Sequence, residues 1–257
     1  MRLIDTHAHL CDPAFDADRA EVIERAGAAG VGAVVAVGET LADAERNLAL
    51  ATEFSGFVRP AAGLFPTYLD PGAADELIDL LRRRRDDFIA IGEVGLDYWK
   101  VQDEADREIQ RRIFASFVDL SLELDLPLNV HSRSAGRQTL ELLLERGARR
   151  VQMHAFDGRA AKALPGVEAG FFFSVPPSVE RSAQKRKLVA RLPLDALLAE
   201  TDSPVLGPDP ARRNEPANVV RSIAAIAEIK GLPLEEVETG IGENTRRLYG
   251  DVFDEGS

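Results

Sequence analysis

Cysteine, histidine and tryptophan are scarce in this chain, which has one cysteine, four histidines and one tryptophan among 257 residues. The single cysteine, Cys11, excludes a disulfide framework and a cysteine-based zinc finger, and we expect it to be a small buried residue. No apolar run approaches the roughly 20 residues of a membrane-spanning helix, and the N-terminus lacks the pattern of a signal peptide. We therefore expect no membrane association and a cytoplasmic location.

Positive charge is also in the minority, since 31 lysines and arginines face 43 aspartates and glutamates, for a net charge of −12. An overall negative charge repels polyanions and disfavours broad, non-specific binding to duplex nucleic acid. It is compatible with a local positive cleft that accepts one strand end. We interpret most of the basic clusters as solvated helix faces; they lie at Arg82–Arg85, Arg149–Arg150, Lys185–Lys187 and Arg212–Arg213.

Short apolar segments rich in β-branched residues alternate with longer amphipathic segments. The short segments predict eight strands, at Leu3–Thr6, Ala33–Val37, Val58–Gly63, Ile89–Glu93, Leu128–His131, Val151–His154, Gly170–Ser174 and Leu197–Glu200. Helical spacing of apolar residues fills the gaps, most clearly in Ala17–Ala29, Leu41–Phe54, Ala73–Arg84 and Asp103–Leu124. Eight strands that each precede a helix, within about 250 residues, predict an α/β fold, the (β/α)₈ or TIM barrel.

The C-terminal segments Asn218–Lys230 and Leu234–Tyr249 predict the last barrel helix and at least one extra helix. No linker divides the chain, so we predict a single domain over residues 1–257. The alternative is an open doubly wound sheet. Such a sheet usually has a glycine-rich phosphate turn after its first strand, where this chain has His7-Ala8-His9.

All four histidines lie where a predicted strand stops, and two carboxylates share that placement. The six residues are His7 and His9 after the first strand, Glu93 at the fourth, His131 at the fifth, His154 at the sixth and Asp202 after the eighth. Catalytic groups of TIM barrels lie at this end of the strands. Imidazole is the commonest metal ligand, and residues i and i+2 of an extended segment point the same way, so His7 and His9 can reach one ion.

Taken singly, each of these residues has a plain structural explanation. A histidine at a strand end is commonly hydrogen-bonded, a glutamate at the position of Glu93 can cap the next helix, and an aspartate at the position of Asp202 can start a turn. The combination favours a metal site. Six ligands exceed the needs of one tetrahedral ion, whereas two ions about 3.5–4 Å apart and bridged by a carboxylate would use them all. A mixed nitrogen and oxygen set suits Zn²⁺, Mn²⁺ or Mg²⁺.

Six segments of the chain resemble the TatD family of metal-dependent hydrolases. They follow the family's order over nearly the whole chain: 5–9 (DTHAH), 92–98 (GEVGLDY), 131–133 (HSR), 154–158 (HAFDG), 200–204 (ETDSP) and 213–219 (RNEPANV). The resemblance implies a TIM barrel with two divalent ions that hydrolyses phosphodiester bonds in DNA, often as a 3′-to-5′ exonuclease. It implies a nucleic-acid partner, here single-stranded DNA ends, and we see no obligate protein partner.

The resemblance also assigns roles. It implies that His7, His9, Glu93 and Asp202 hold one ion. Glu93, His131 and His154 hold the other, so Glu93 bridges the two. Asp202 also accepts the proton of the attacking water.

Four further side chains are candidates for substrate contacts. Arg133 lies two residues beyond His131 and is placed to stabilise charge on the phosphate. The alternative is that Arg133 forms a structural salt bridge with a carboxylate. Arg213 is a weaker candidate. Trp99, with Tyr98, would stack on a base or pack on the barrel rim.

One segment departs from the family. Many members have a Gly-x-His-Pro-His-like segment after the third strand, whereas this chain has Gly63-Leu64-Phe65-Pro66-Thr67, and Phe65 cannot donate a hydrogen bond to phosphate. A deacylase or esterase, such as a D-aminoacyl-tRNA deacylase, would use the same ligands. A non-catalytic metal-binding scaffold is the third alternative. Related amidohydrolases often bridge their metals with a carboxylated lysine where this chain has Glu93, which favours the phosphodiesterase.

Overall fold

Parallel strands form the centre of the protein. The computed structural model describes residues 2–253, and within them eight strands pair in sequence order. The strands are β1 (Leu3–Ala8), β2 (Val31–Ala36), β3 (Val58–Ala62), β4 (Ala90–Gly95), β5 (Leu128–His131), β6 (Val151–Met153), β7 (Phe172–Val175) and β8 (Leu197–Ala199). Each consecutive pair is parallel. The predicted TIM barrel is confirmed, and the doubly wound alternative is wrong.

Helices follow the strands and cover the outside of the barrel. They are α1 (Arg19–Ala28), α2 (Leu41–Glu53), α3 (Pro71–Arg83), α4 (Glu104–Leu124), α5 (Gly136–Glu145), α6 (Ala160–Glu168), α7 (Ala183–Arg191), α8 (Val219–Lys230) and α9 (Leu234–Tyr249). Short 3₁₀ turns lie at Pro13–Phe15, Arg85–Asp87, Pro177–Glu180, Leu194–Ala196 and Pro216–Asn218. The helix α9 is the predicted extra helix. Between residues 2 and 253, every helix is too short or too polar to cross a bilayer.

Local sequence explains where several helices begin and what they bury. Thr40 and Asp70 accept backbone hydrogen bonds from the first turns of α2 and α3, as capping residues do. The predicted apolar faces are buried, with Leu77 in α3 and Phe117 in α4 fully covered. Each such side chain contributes about 1.5–3 kcal/mol when it is removed from water. Cys11 is buried, as expected.

Strand ends differ from the sequence expectation by one or two residues. The first strand runs on to Ala8, so His7 lies inside it and only His9 follows it. The fourth continues to Gly95, so Glu93 also lies inside its strand. His154, by contrast, follows β6 directly. These shifts leave all four side chains near the carboxyl ends of the strands.

The seam between β8 and β1 is closed mainly by side chains and loop backbone. One isolated bridge joins Ala8 to Ser203, in place of a regular ladder. The fully buried Asp5 accepts hydrogen bonds from the backbone N–H of Thr201 (2.8 Å), from its hydroxyl (2.5 Å) and from the N–H of His7 (3.3 Å). Asp202 in turn donates its N–H to the carbonyl of His7 at 2.9 Å. The seam therefore fixes the segments that carry His7 and Asp202 against each other.

Polar side chains occupy one level of the barrel interior, which is usually filled by bulky apolar residues. We call Thr6, Asn129, Gln152, Ser174 and Glu200 the polar layer; all are buried and linked by hydrogen bonds. Tyr249 of α9 lies beside this layer and donates its hydroxyl to the Gln152 side-chain oxygen at 2.6 Å. A buried polar network of this kind is stabilising only when its members are satisfied, as they are here.

The hydrogen bonds that Asp5 accepts at the seam lead to a prediction about stability. Replacing Asp5 with alanine removes three acceptor contacts and leaves the buried backbone N–H of Thr201 without its acceptor, so we expect the free energy of unfolding to fall by about 2–5 kcal/mol. The matched control is Asp70→Ala, which removes an exposed carboxylate that also accepts two backbone hydrogen bonds. Urea unfolding midpoints measure both. Equal losses in the two variants would contradict the role of Asp5.

The single domain over residues 1–257 stays a prediction.

Candidate metal centre

The structure brings all six predicted ligands together at the carboxyl ends of the strands. They surround the floor of a cavity of about 400 Å³, whose lining includes His9, Glu93, His131, His154 and Asp202. His7 lies beneath, with its ring stacked on that of His154 at a centroid distance of 3.7 Å. Glu93 is 2% exposed and Asp202 is 6% exposed. Charges buried to this degree require paired charges or bound cations.

The first set of ligand atoms comes from His7, His9, Glu93 and Asp202. The Nε2 atoms of His7 and His9 lie 3.3 Å apart. The Asp202 Oδ1 atom lies 3.4 Å from His7 Nε2 and 3.5 Å from His9 Nε2. The Glu93 Oε2 atom lies 3.4 Å from His9 Nε2 and 3.9 Å from His7 Nε2. Two ligand atoms about 2.1 Å from one ion at the tetrahedral angle are about 3.4 Å apart. The spacing therefore fits a shared cation.

The second set uses the other oxygen of Glu93. Its Oε1 atom lies 2.6 Å from His131 Nδ1 and 3.6 Å from His154 Nε2. Glu93, His131 and His154 form one potential ligand group, and His7, His9 and Glu93 form another. Glu93 belongs to both, and its two oxygens face different sets of imidazoles. That is the arrangement required of a carboxylate that bridges two ions.

The charges of the cluster are mutually dependent. Burial opposes protonation of His7, but its hydrogen bond to Asp202 and the charge of Glu93 raise its pKa to about 10. Burial also opposes protonation of His131, whose pKa Glu93 raises to about 9. Burial alone would raise the pKa of Glu93, yet His131 and His154 lower it. The imidazoles and carboxylates of the cluster thus favour each other's charged forms, and bound cations would displace protons from the imidazoles.

Three of the four histidines have an oxygen acceptor at the ring nitrogen that faces away from the cluster. His7 Nδ1 lies 2.8 Å from the Asn129 side-chain oxygen. For His131 and His154, the acceptors are the carboxylates of Asp97, at 3.1 Å from Nε2, and Glu200, at 3.1 Å from Nδ1. Such acceptors fix the tautomer and the orientation of a ligating histidine and raise its basicity.

Sequence reasoning did not assign roles to Asn129, Asp97 or Glu200. For two of them a signal existed, because Asn129 precedes His131 by two residues and Glu200 precedes Asp202 by two, the same alternation that pairs His7 with His9. For Asp97 no such signal exists. It reaches His131 from the loop after β4, where its Oδ1 also accepts the backbone N–H of Trp99 and Lys100.

The predicted substrate-contacting residues separate into two groups. Arg133 lines the cavity, and its guanidinium lies over the Trp99 ring at 3.7 Å, which is a cation–π contact and not the salt bridge weighed from the sequence. Trp99 is half exposed. Tyr98 packs under Arg107 on the rim. Arg213 is instead engaged by Asp18, at 2.6 Å.

Phe65, which departs from the family pattern, also lines the cavity. Its ring meets that of His131 edge to face, at a centroid distance of 5.0 Å. The position that would carry a polar side chain in many relatives therefore forms an apolar wall next to one ligand. A phosphate bound in this cavity would therefore have to be contacted by side chains other than Phe65.

The acceptor carboxylates generate a prediction. Asp97→Asn retains the oxygen that accepts the loop N–H groups but weakens the acceptor for His131, so we expect affinity for Zn²⁺ or Mn²⁺ to fall about 10–100-fold. Isothermal titration calorimetry of the metal-free protein measures this. Asp119→Asn is the control, because Asp119 is an exposed carboxylate that pairs with Arg146. An unchanged affinity in Asp97→Asn would show that Asp97 does not support the metal site.

Comparisons with known proteins agree with this geometry. Human deoxyribonuclease TATDN3 is 43% identical over 258 residues, which cover 96% of this chain and 94% of the human protein. An uncharacterized metal-dependent hydrolase of Bacillus subtilis, YabD, is 35% identical and covers 96% of this chain and 98% of its own length. The crystal structure of the TatD homologue YjjV from Escherichia coli superposes with a TM-score of 0.89 at 29% identity, over 96% of this chain and 98% of that one.

The family model described as TatD related DNase matches residues 4–250, which is nearly the whole described chain. The match spans all eight strands and every predicted ligand, and it agrees with the resemblance seen in the sequence. The chain belongs to the TatD family of metal-dependent hydrolases.

Proposed function

We propose that the protein is a dinuclear divalent-metal phosphodiesterase that degrades DNA from single-stranded ends, as a 3′-to-5′ exonuclease. The observation that carries the proposal is the position of Glu93, whose two oxygens face two separate sets of imidazoles. Membership of a family described as DNases supports DNA as the substrate. The mixed nitrogen and oxygen ligands, without thiolate, support Mg²⁺, Mn²⁺ or Zn²⁺.

The residues of the centre divide the work of hydrolysis. Two bound divalent cations would acidify a water molecule and withdraw charge from the phosphate. Burial opposes ionisation of Asp202, but the charge of His154 and the hydrogen bond from His7 lower its pKa well below the usual value. Its carboxylate is therefore ionised and able to orient the water and accept its proton. Arg133, held on Trp99, stabilises the negative charge that develops on the phosphate oxygens.

The shape and charge of the protein support a strand end over a duplex. A cavity of about 400 Å³ has the volume of a site for a small ligand or one terminal unit of a polymer. The net charge of −12 disfavours a long nucleic-acid footprint. Half-exposed Trp99 is available to stack on a neighbouring base. The single cysteine, which is a buried free thiol, supports the reducing cytoplasm as the location.

A substrate panel tests the proposed reaction. We expect the metal-loaded protein to hydrolyse a single-stranded oligonucleotide labelled at its 5′ end and to leave a ladder of shortened, labelled products. A duplex with blunt ends should be cut more slowly. A D-aminoacyl ester, offered with the same metals, should not be hydrolysed. Cleavage of the ester alone would contradict the proposal and favour the deacylase. Early release of the labelled 5′ nucleotide would show that degradation runs from the 5′ end, which would contradict the proposed 3′-to-5′ direction.

Two substitutions test the assigned roles. Asp202→Asn removes the proton acceptor and a ligand, so we expect kcat to fall at least 10²–10⁴-fold. His131→Ala should abolish turnover while the far-ultraviolet circular dichroism spectrum stays unchanged. Asp209→Asn, which alters an exposed carboxylate in the loop that follows, is the control. Turnover retained in His131→Ala would show that this cluster does not perform the hydrolysis and would favour a non-catalytic metal-binding role for it.

A further inference from the structure

Lys185 lies in the first turn of α7 and lines the cavity above the metal centre. The sequence grouped it with the basic cluster that ends at Lys187, which we interpreted as a solvated helix face. That interpretation is correct for Lys187, which is exposed, and for Arg186, which pairs with Glu228 at 2.6 Å. It is wrong for Lys185. The physical reason is that the first turn of the helix packs on the loop after β6 and directs this one side chain inward.

Two neighbouring side chains attach the first turn of α7 to that loop. Lys185 Nζ donates to the carbonyl of Ala155 at 2.9 Å, and the Gln184 side chain donates to the carbonyl of Gly158 at 2.7 Å. Ala155 directly follows His154. The ammonium group is therefore held on the cavity wall next to a predicted metal ligand. Its position is fixed by the helix α7 and by the hydrogen bond to Ala155.

The ammonium group retains donor capacity. It has three N–H groups, and the carbonyl of Ala155 accepts one of them. No carboxylate in the described part of the chain forms an ion pair with Lys185. Burial lowers the pKa of this lysine, an effect that the more distant charges of Glu200 and Asp202 oppose. Lys185 is half-buried on the cavity wall, so an anion that enters the cavity can accept its remaining N–H groups.

The charge of the cavity gives the same answer. Its lining has four carboxylates, from Glu39, Glu93, Asp157 and Asp202. Two divalent cations would neutralise these four charges. The remaining fixed positive charges of the lining are then those of Arg133 and Lys185. The carboxylates of Asp97 and Glu200, which lie behind the histidines and outside the lining, balance these two charges overall. Arg133 and Lys185 are therefore the cations of the lining that an entering substrate meets, which favours an anionic phosphodiester over a neutral ester.

We propose that Lys185 binds a non-bridging oxygen of the substrate phosphate, so that the site selects a phosphodiester over a neutral carboxylic ester. This inference rests on the proposed function and deepens it. It also accounts for Phe65: an apolar side chain is tolerated on its wall because a cation elsewhere in the cavity contacts the phosphate. Lysine binds phosphate as a point charge with several donors, which suits a group that must accept successive nucleotides.

Binding of inorganic phosphate to the manganese-loaded protein tests the proposal without turnover. Lys185→Gln keeps a donor for Ala155 but removes the charge, so we expect the Kd for phosphate to rise roughly 10–100-fold. Lys185→Arg should recover most of the affinity. Gln184→Ala is the matched control, because it breaks the adjacent attachment of α7 and leaves the charge in place; its Kd should stay within about twofold. Manganese affinity, measured in parallel, verifies that each variant is folded and loaded.

Kinetics on the oligonucleotide then separate the possible outcomes. Loss of a ground-state phosphate contact should raise KM in Lys185→Gln more than it lowers kcat. If Lys185→Gln binds phosphate as tightly as the unaltered protein, or if Gln184→Ala loses as much affinity, the lysine is only structural and the inference is overturned, although DNA cleavage by the unaltered protein would leave the proposed function intact. Lysine-dependent phosphate binding in a protein that does not cleave DNA would uphold the inference and refute DNA as the substrate.

Discussion

A buried carboxylate between two sets of imidazoles is the constraint on which the rest of the structure depends. Glu93 is almost completely removed from water, and an ionised carboxylate in that position costs several kcal/mol unless opposite charge compensates it. Its two oxygens face His9 on one side and His131 on the other. The arrangement is costly as a purely structural feature, and cations in place of the imidazole protons would relieve it. The scarcity of histidine supports a metal site, because all four histidines of the chain lie in this cluster.

The barrel supports this cluster from below. The polar layer provides the acceptor that orients His7, through Asn129, and the acceptor that orients His154, through Glu200. Tyr249 joins the layer from the last helix, so the C-terminal segment of the described chain contributes to the order of a site formed by residues at the start. The seam has a related role, because it fixes Asp202 against the backbone of His7. Asp202 also adopts a positive φ of 55°, a conformation that costs about 1–3 kcal/mol and is held by these contacts.

Much of the fold and the convergence of the candidate ligands could be predicted from the sequence, because both depend on periodicity. Apolar runs defined all eight strands to within one or two residues, and the placement of six ligand-type residues at strand ends identified the cluster. What could not be predicted depends on loops and on packing between distant segments. Asp97 reaches His131 from an irregular loop, and the seam joins Asp5 to Thr201 across nearly two hundred residues. Lys185 sits in a run of basic residues whose pattern is that of a surface, and only the packing of α7 distinguishes it.

The most direct test of the central claim is an anomalous-scattering crystal structure of the protein grown with Mn²⁺. The account predicts two manganese peaks about 3.5–4 Å apart, one on each side of Glu93, with His7, His9 and Asp202 around the first and His131 and His154 around the second. A single peak, or two peaks of which neither contacts Glu93, would contradict it.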